Sequence, residues 1–353
     1  MAKDSSIEWT HHTFNPWWGC VKVSPGCQHC YAETFSKRVG QEIWGKDGPR
    51  RFFGEAQWKA PIKWNAEATA DGERRRVFCA SMSDVFEERA DLDPWRTKLW
   101  ELIIETPMLD WLLLTKRPEN IGEMVPWTTD WPKNVWLGTT VETQKYVDER
   151  LPHLLKHKSK VRFLSCEPML GEVDLKHWIK PNRSKGLHGI DWIIAGGESG
   201  ALARAMNPDW ARKLRDQALS EGIPFHFKQW GQWAPSDHLD PGQKGNVLDL
   251  DGVKMIRLKS KKIVDRSLDC TIWDEYPVNQ MSRKPSSEKT STKKPAQKNQ
   301  KNQKNQRTKN QHKKTSLQKP RIKTHNFPEE SRCGLSASPL PIKKSEFGHE
   351  YKP

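Results

Sequence analysis

The sequence predicts an α/β protein built on a partial or complete (β/α) barrel and followed by a basic, disordered C-terminal tail. Three observations predict it. Six short apolar runs recur with polar residues directly after each, their starts 24 to 34 residues apart, which is the length of a strand, a loop and a crossover helix. The segments between the runs carry helix punctuation. From residue 279 the composition turns polar, cationic and repetitive, which sets a boundary between a folded body at 1–278 and a tail at 279–353.

A first strand is expected near residues 13–19. The runs then follow as RVFCASMSD at 76–84, DWLLLTKRP at 110–118, NVWLGTTVE at 134–142, VRFLSCEP at 161–168, DWIIAGGESG at 191–200 and IPFHFKQWG at 223–231. Between them, DLDPWRTKLWELIIET offers Asp93 as an N-cap with Pro94 at the first helical position, and NPDWARKLRDQALSEG closes on Gly222. Near-continuous apolar strands alternating with helices imply a parallel sheet covered on both faces. Seven such units exceed a small flavodoxin-like sheet and fit a barrel. All 18 tryptophans precede the tail, and most are expected to be core and helix-packing residues.

A barrel carries its active face at the C-terminal ends of its strands. Polar side chains gather there after every run: Ser81, Ser83 and Asp84; Thr115, Lys116 and Arg117; Thr139, Thr140 and Glu142; Ser165 and Glu167; Glu198 and Ser199; Lys228 and Gln229. The same end receives WWGCVKVSPGCQHCYAE, at 17–33, which places Cys20, Cys27 and Cys30 between the first strand and the helical-looking YAETFSKRVG. Seven cysteines in 353 residues form no even disulfide framework, so clustered thiols point to metal or redox chemistry in a reducing compartment. Three close thiolates suit zinc or an iron–sulfur cluster. His11, His12 and His29 are candidates for a fourth zinc ligand, but no second C-x2-C pair closes a zinc ribbon. A [4Fe–4S] cluster on three cysteines instead leaves one iron open to another ligand. Cys79 and Cys166 read as packing. No run of eighteen apolar residues occurs and MAKDSSIEW lacks an apolar signal region, so a cytoplasmic protein without a membrane partner is expected.

With NPWWGCVKVSPGCQHCYAE, MSDVF, LLTKRPEN, GGESG and LDCTIWDEYP, the sequence resembles a phage-associated radical-SAM-like family, within the radical S-adenosylmethionine (SAM) superfamily, over about residues 5 to 278. The first cysteine spacing is six residues here against three in most of that superfamily, which lengthens the loop. The resemblance implies a barrel of the radical-SAM type, a [4Fe–4S] cluster on Cys20, Cys27 and Cys30, with His29 before the last, and SAM chelating the open iron. It implies reductive cleavage of SAM to methionine and a 5′-deoxyadenosyl radical that abstracts hydrogen from a substrate. It also implies an electron donor of the flavodoxin or ferredoxin type. For SAM itself, Gly196 and Gly197 allow close backbone approach, Glu198 can take an ammonium or ribose hydroxyl, and Lys116 with Arg117 can pair with its carboxylate or a substrate phosphate. The substrate is unnamed, with nucleic acid or a nucleotide suggested by association. The competing class is a non-catalytic zinc- or cluster-binding protein that interacts with nucleic acid.

The charge separates body from tail. Lys and Arg number 59 against 44 Asp and Glu, a formal net charge of +15, and 19 of the cations against 5 of the acids lie after residue 278. The tail therefore holds +14 and the body about +1. A chain so polar buries too little apolar surface to offset its ordering entropy, and its cations are expected to attract nucleic acid by counterion release without sequence preference. Truncation after Val278 is expected to abolish most low-salt nucleic-acid binding, measured across a salt series. Undiminished binding by the truncated protein would place the nucleic-acid site in the body.

Overall fold

The computed structural model describes residues 3–179, 189–240, 242–259 and 265–277, and the expected tail lies outside them. In chain order come β1 (His12–Phe14), β2 (Trp17–Trp18), α1 (Tyr31–Arg38), β3 (Arg51–Phe52), α2 (Glu55–Asp71), β4 (Arg75–Cys79), α3 (Asp93–Glu105), β5 (Leu109–Thr115), α4 (Ile121–Met124) and β6 (Val135–Thr140). Next are α5 (Gln144–Leu154), β7 (Val161–Cys166), α6 (Lys176–Ile179), β8 (Trp192–Gly196), α7 (Pro208–Ser220) and β9 (Phe225–Gln229). A small antiparallel sheet of β10 (Trp233–Pro235), β11 (Val247–Leu250) and β12 (Val253–Arg257) follows, and then a hairpin of β13 (Ser267–Leu268) and β14 (Thr271–Ile272).

The main sheet has seven strands in the order β1-β4-β5-β6-β7-β8-β9, every neighbouring pair parallel. Strand order that follows chain order curls a sheet one way, with its helices on the outer face. β1 and β9 are its two edges, so the barrel is partial. Each expected strand is present at its apolar run, with β4 and β5 starting one residue earlier. The first differs: only His12–Phe14 joins the sheet, while Trp17–Trp18 peels away and pairs antiparallel with Arg51–Phe52.

Side chains alternate between two cores, as a sheet covered on both faces requires. Outward, Val77, Cys79, Trp111, Leu113, Leu137, Leu164, Cys166, Ile193 and Phe227 meet the helices. Inward, Phe78, Leu112, Trp136, Phe163, Trp192 and Ile194 pack with Trp9. Ten of the 18 tryptophans are buried, which bears out their reading as core. Residues near both ends of the folded body close the lower part of the barrel. Trp9 lies 4.6 Å from the Phe78 ring and 6.3 Å from Trp192. From the other end, Tyr276 sits 5.5 Å from Trp192 and its hydroxyl donates to the Glu8 carbonyl at 3.1 Å.

Helix starts depart from expectation in one place. Asp93 is the first residue of α3, not its cap, and makes no capping bond. Its carboxylate is drawn to Arg96, a buried guanidinium that also donates to the carbonyls of Val85 at 3.0 Å and Glu87 at 2.7 Å. α7 is capped as its sequence suggests, by the Asn207 side chain accepting from the Asp209 amide at 2.9 Å, and it ends before Gly222. No helix among the described residues is long and apolar enough to cross a membrane.

The inward tryptophans carry a testable load. Trp192→Ala removes a fully buried ring that touches Trp9, Trp136, Phe163 and Tyr276, and is expected to cost about 3–5 kcal/mol in urea unfolding. A loss below about 1 kcal/mol would contradict the packed interior.

Candidate functional site

The inner face of the sheet changes character along the strands. Above the aromatic layer, toward the C-terminal ends, the same alternation continues as Lys116, Thr140, Ser165, Glu167 and Lys228. Lys116 Nζ donates to Thr140 Oγ1 at 3.2 Å, Lys228 Nζ pairs with Glu167 Oε1 at 2.9 Å, and Ser165 Oγ donates to Glu167 Oε2 at 3.4 Å. A mouth so lined offers both charges to a zwitterionic or anionic ligand.

The cysteine loop spans this mouth, tied down by buried or partly buried ion pairs from different strand ends. Arg117, after β5, pairs with Asp84 at 3.0 Å, donates to the Val21 carbonyl at 2.8 Å and stands 3.8 Å from Cys20 Sγ. Asp84 is fixed in turn by the Thr115 hydroxyl at 2.7 Å and the Lys116 amide at 3.0 Å. Glu142, after β6 and fully buried, accepts from Arg150 at 2.7 Å and from the Ser24 hydroxyl at 2.5 Å. Glu198, after β8, accepts from Arg204 Nη2 at 2.6 Å, and Arg204 reaches on to the Pro25 carbonyl at 3.0 Å and Gln28 Oε1 at 3.3 Å. A fourth pair, Arg50 with Glu87, gathers the carbonyls of Ile43, Gly45 and Gly48, and the Gly45 amide donates to the Cys20 carbonyl at 3.0 Å. Buried charges persist only when paired, and removing one partner of such a pair typically costs about 3–5 kcal/mol.

Two glycines permit this closeness. A Cβ on Gly26 would lie 2.3 Å from Glu142 Oε1, and one on Gly197 would lie 2.0 Å from the Trp230 carbonyl oxygen. Gly26 lets the loop rest on the buried carboxylate, and Gly197 lets the β8 end pass beside the β9 end.

The sequence-predicted residues therefore divide. Cys20, Cys27 and Cys30 are partly buried free thiols in the clamped loop, and Lys116 faces the mouth. Arg117 and Glu198, expected to meet SAM directly, are instead committed to Asp84 and Arg204, because a guanidinium or carboxylate that deep requires its counter-charge. Gly196 and Gly197 pack against Glu167 and β9. His29 is half-buried and makes no hydrogen bond or ring contact among the described residues. His11 precedes β1 and His12 begins it, at the opposite end from the loop: His11 Nδ1 accepts from the Arg76 amide and the His12 ring stacks on Trp64. Neither can complete a ligand set with the cysteines. Cys79 and Cys166 lie in the outward core. Arg150, Ser24 and Arg204 escaped the sequence reading, because their partners lie in another part of the chain or outside any local pattern.

Burial pushes the Cys20 thiol up to about 12, the Asp84 charge adds to this, and Arg117 opposes it. Cys30 is raised by burial too, against the opposing pull of the Glu33 and Ala32 amides and of Lys116, with Cys27 near enough to raise it further. No group of three or more His, Cys, Asp or Glu side chains among the described residues is arranged to hold a metal ion. What fits a soft metal centre is the donor chemistry: three thiols in one loop, at one end of the barrel, with amides and cations turned toward their sulfurs.

Fold and site together define an α/β partial barrel that carries a clamped three-cysteine loop over its mouth. The chain belongs to the family described as "Protein of unknown function (DUF5131)", whose model matches residues 4–277. No curated protein matches it. Among solved structures it is similar to a spore photoproduct lyase mutant, at 14% identity and a TM-score of 0.40, covering 74% of this chain and 72% of that one. It is also similar to spore photoproduct lyase complexed with dinucleoside spore photoproduct, at 13% identity and a TM-score of 0.35, covering 70% and 68%.

The raised thiols predict slow chemistry in the folded apoprotein. At pH 8 Cys20 is expected to react with iodoacetamide at least ~100-fold more slowly than in urea, since the thiolate is the nucleophile. Arg204→Met, which frees the loop at Pro25 and Gln28, is expected to speed alkylation of Cys27 several-fold and leave Cys79 and Cys166 unreactive, as read by peptide mass spectrometry. Unchanged Cys27 reactivity would show that Arg204 does not restrain the loop.

Proposed function

We propose that the protein is a radical SAM enzyme in which Cys20, Cys27 and Cys30 hold a [4Fe–4S] cluster and SAM occupies the barrel mouth beside it. The observation that carries this reading is the cysteine loop itself, free of disulfides and fastened across the mouth by three Arg–carboxylate pairs. Ligands that must hold an exact arrangement need a supporting shell of this kind. Three protein thiolates leave a fourth coordination position for another ligand. Such a cluster, when reduced, supplies the electron that splits SAM into methionine and a 5′-deoxyadenosyl group able to abstract hydrogen.

The chain's own residues bind, orient and shield. Lys116 and Lys228 present ammonium groups inside the mouth, suited to a carboxylate, and Glu167 presents the carboxylate suited to an amino group. Arg117, Glu142 and Arg204 act one step back as positioning residues, through Val21, Ser24 and Pro25. The aromatic layer beneath excludes water from the inner end of the site. A flavodoxin- or ferredoxin-type protein is the proposed electron donor, and the basic tail a nonspecific tether to nucleic acid.

Anaerobic reconstitution is expected to give brown protein with about four irons and four sulfides per chain. Alanine at Cys20, Cys27 or Cys30 is expected to abolish the cluster, while Cys79→Ala retains it. With dithionite, the loaded protein is expected to release 5′-deoxyadenosine and methionine from SAM. Stoichiometric zinc that resists displacement, with no cluster formed, would replace this reading with a structural zinc site.

A further inference from the structure

A cavity of about 450 Å³ opens between the loop after β8, at Gly200 and Ala201, and the β10–β12 sheet. Its lining includes Lys244, Arg257 and Lys259 and, among the described residues, no carboxylate. Elsewhere on the described body some exposed lysines find a counter-charge, as Lys3 does in Glu67, Lys37 in Glu33 and Lys213 in Glu172. The three cations of the cavity have no ion pair among the described residues. Like charges brought together without a counter-charge are unfavourable unless an anion joins them.

The cavity is also built, not merely a gap. Arg257 donates from Nη2 to the Ala201 carbonyl and from its amide to the Asn246 carbonyl at 2.8 Å, which holds the guanidinium at the wall with its other edge unused among the described residues. Gln232 spends its side-chain amide on the Leu258 carbonyl, and its backbone amide donates to the Glu198 carbonyl at 2.9 Å. That Glu198 is the residue whose carboxylate holds Arg204 over the cysteine loop. The cavity is thus a shoulder of the barrel mouth, joined to it through one residue.

We infer that this cavity binds the phosphate of a nucleotide, free or within a strand. A planar guanidinium flanked by two ammonium groups matches a phosphate's oxygens and charge. The volume lies in the range of small-molecule sites, about 300–1,000 Å³, which is more than a bare phosphate fills. A phosphate held on the shoulder fixes register and orientation and leaves the rest of the ligand free to reach the mouth. The inference does not depend on the cluster, since none of these residues touches the cysteines.

Calorimetric titration of the full-length protein at about 0.15 M salt, where distant charges are largely screened, tests it with thymidine 5′-monophosphate, thymidine, inorganic phosphate and the tetranucleotide (dT)4. One monophosphate is expected to bind per chain and thymidine not at all. Lys244→Gln with Lys259→Gln is expected to weaken the monophosphate by about tenfold or more, and Arg257→Gln similarly. Lys254→Gln, an exposed cation on β12 outside the cavity lining, is expected to change it less than twofold. Tighter, cavity-dependent binding of (dT)4 identifies a strand as the source, and equal binding identifies the free nucleotide. The inference is overturned if the cavity variants bind like the parent, if Lys254→Gln weakens binding equally, or if inorganic phosphate binds as tightly as the monophosphate.

Discussion

A buried charge is costly unless an opposite charge meets it, and three carboxylate–guanidinium pairs organise the barrel mouth. Asp84 with Arg117, Glu142 with Arg150 and Glu198 with Arg204 each begin at a strand end and finish on the cysteine loop, at Val21, Ser24 and Pro25. The pairs are poor candidates for net stability, since desolvation of two charges consumes most of their attraction. Their value is positional. The Gly19–Cys27 loop, with two glycines, a proline and a serine, would otherwise sample many conformations, and here it is tied to the ends of β5, β6 and β8 at once.

The barrel separates rigidity from chemistry along its axis. Its lower half is filled by Trp9, Phe78, Trp136, Phe163 and Trp192, closed from the side by residues near both ends of the folded body. Its upper half holds Lys116, Glu167 and Lys228, with the cysteines above them. Glu167 directly follows the strand that carries Phe163, and Trp192 stands on the same strand as Gly196, so the packed layer sets the height and direction of the polar one. The cation-lined cavity at Arg257 extends the polar end sideways through Glu198, giving that end a further group of positive charge.

Much of this was legible in sequence because it is local. The near-continuous apolar run in DWLLLT and the recurrence of such runs state a parallel sheet covered on both faces directly, and the polar residue after each run marks the active end. The three cysteines declare themselves by spacing. Arg117 and Glu198 were visible as strand-end charges, but their roles were not, since a charge's partner depends on what folding brings beside it. Ser24 and Glu142 are 118 positions apart in the chain, and no local pattern joins them. The antiparallel sheet at Trp233–Arg257 was missed for a related reason: its strands are short, β11 is mostly exposed, and they carry little periodic signal. Asp93 shows the same limit at small scale, where a good capping residue is claimed by a buried arginine three positions on.

The central claim is that the clamped cysteine loop holds a cluster with one coordination position open to SAM. Electron paramagnetic resonance of the anaerobically loaded, dithionite-reduced protein, recorded with and without SAM, tests it most directly. The account predicts a reduced-cluster signal whose g values shift when SAM is added, and which is absent from Cys27→Ala. A strong signal identical with and without SAM would mean that no iron is open to it, and the account of the mouth as a SAM site would be wrong.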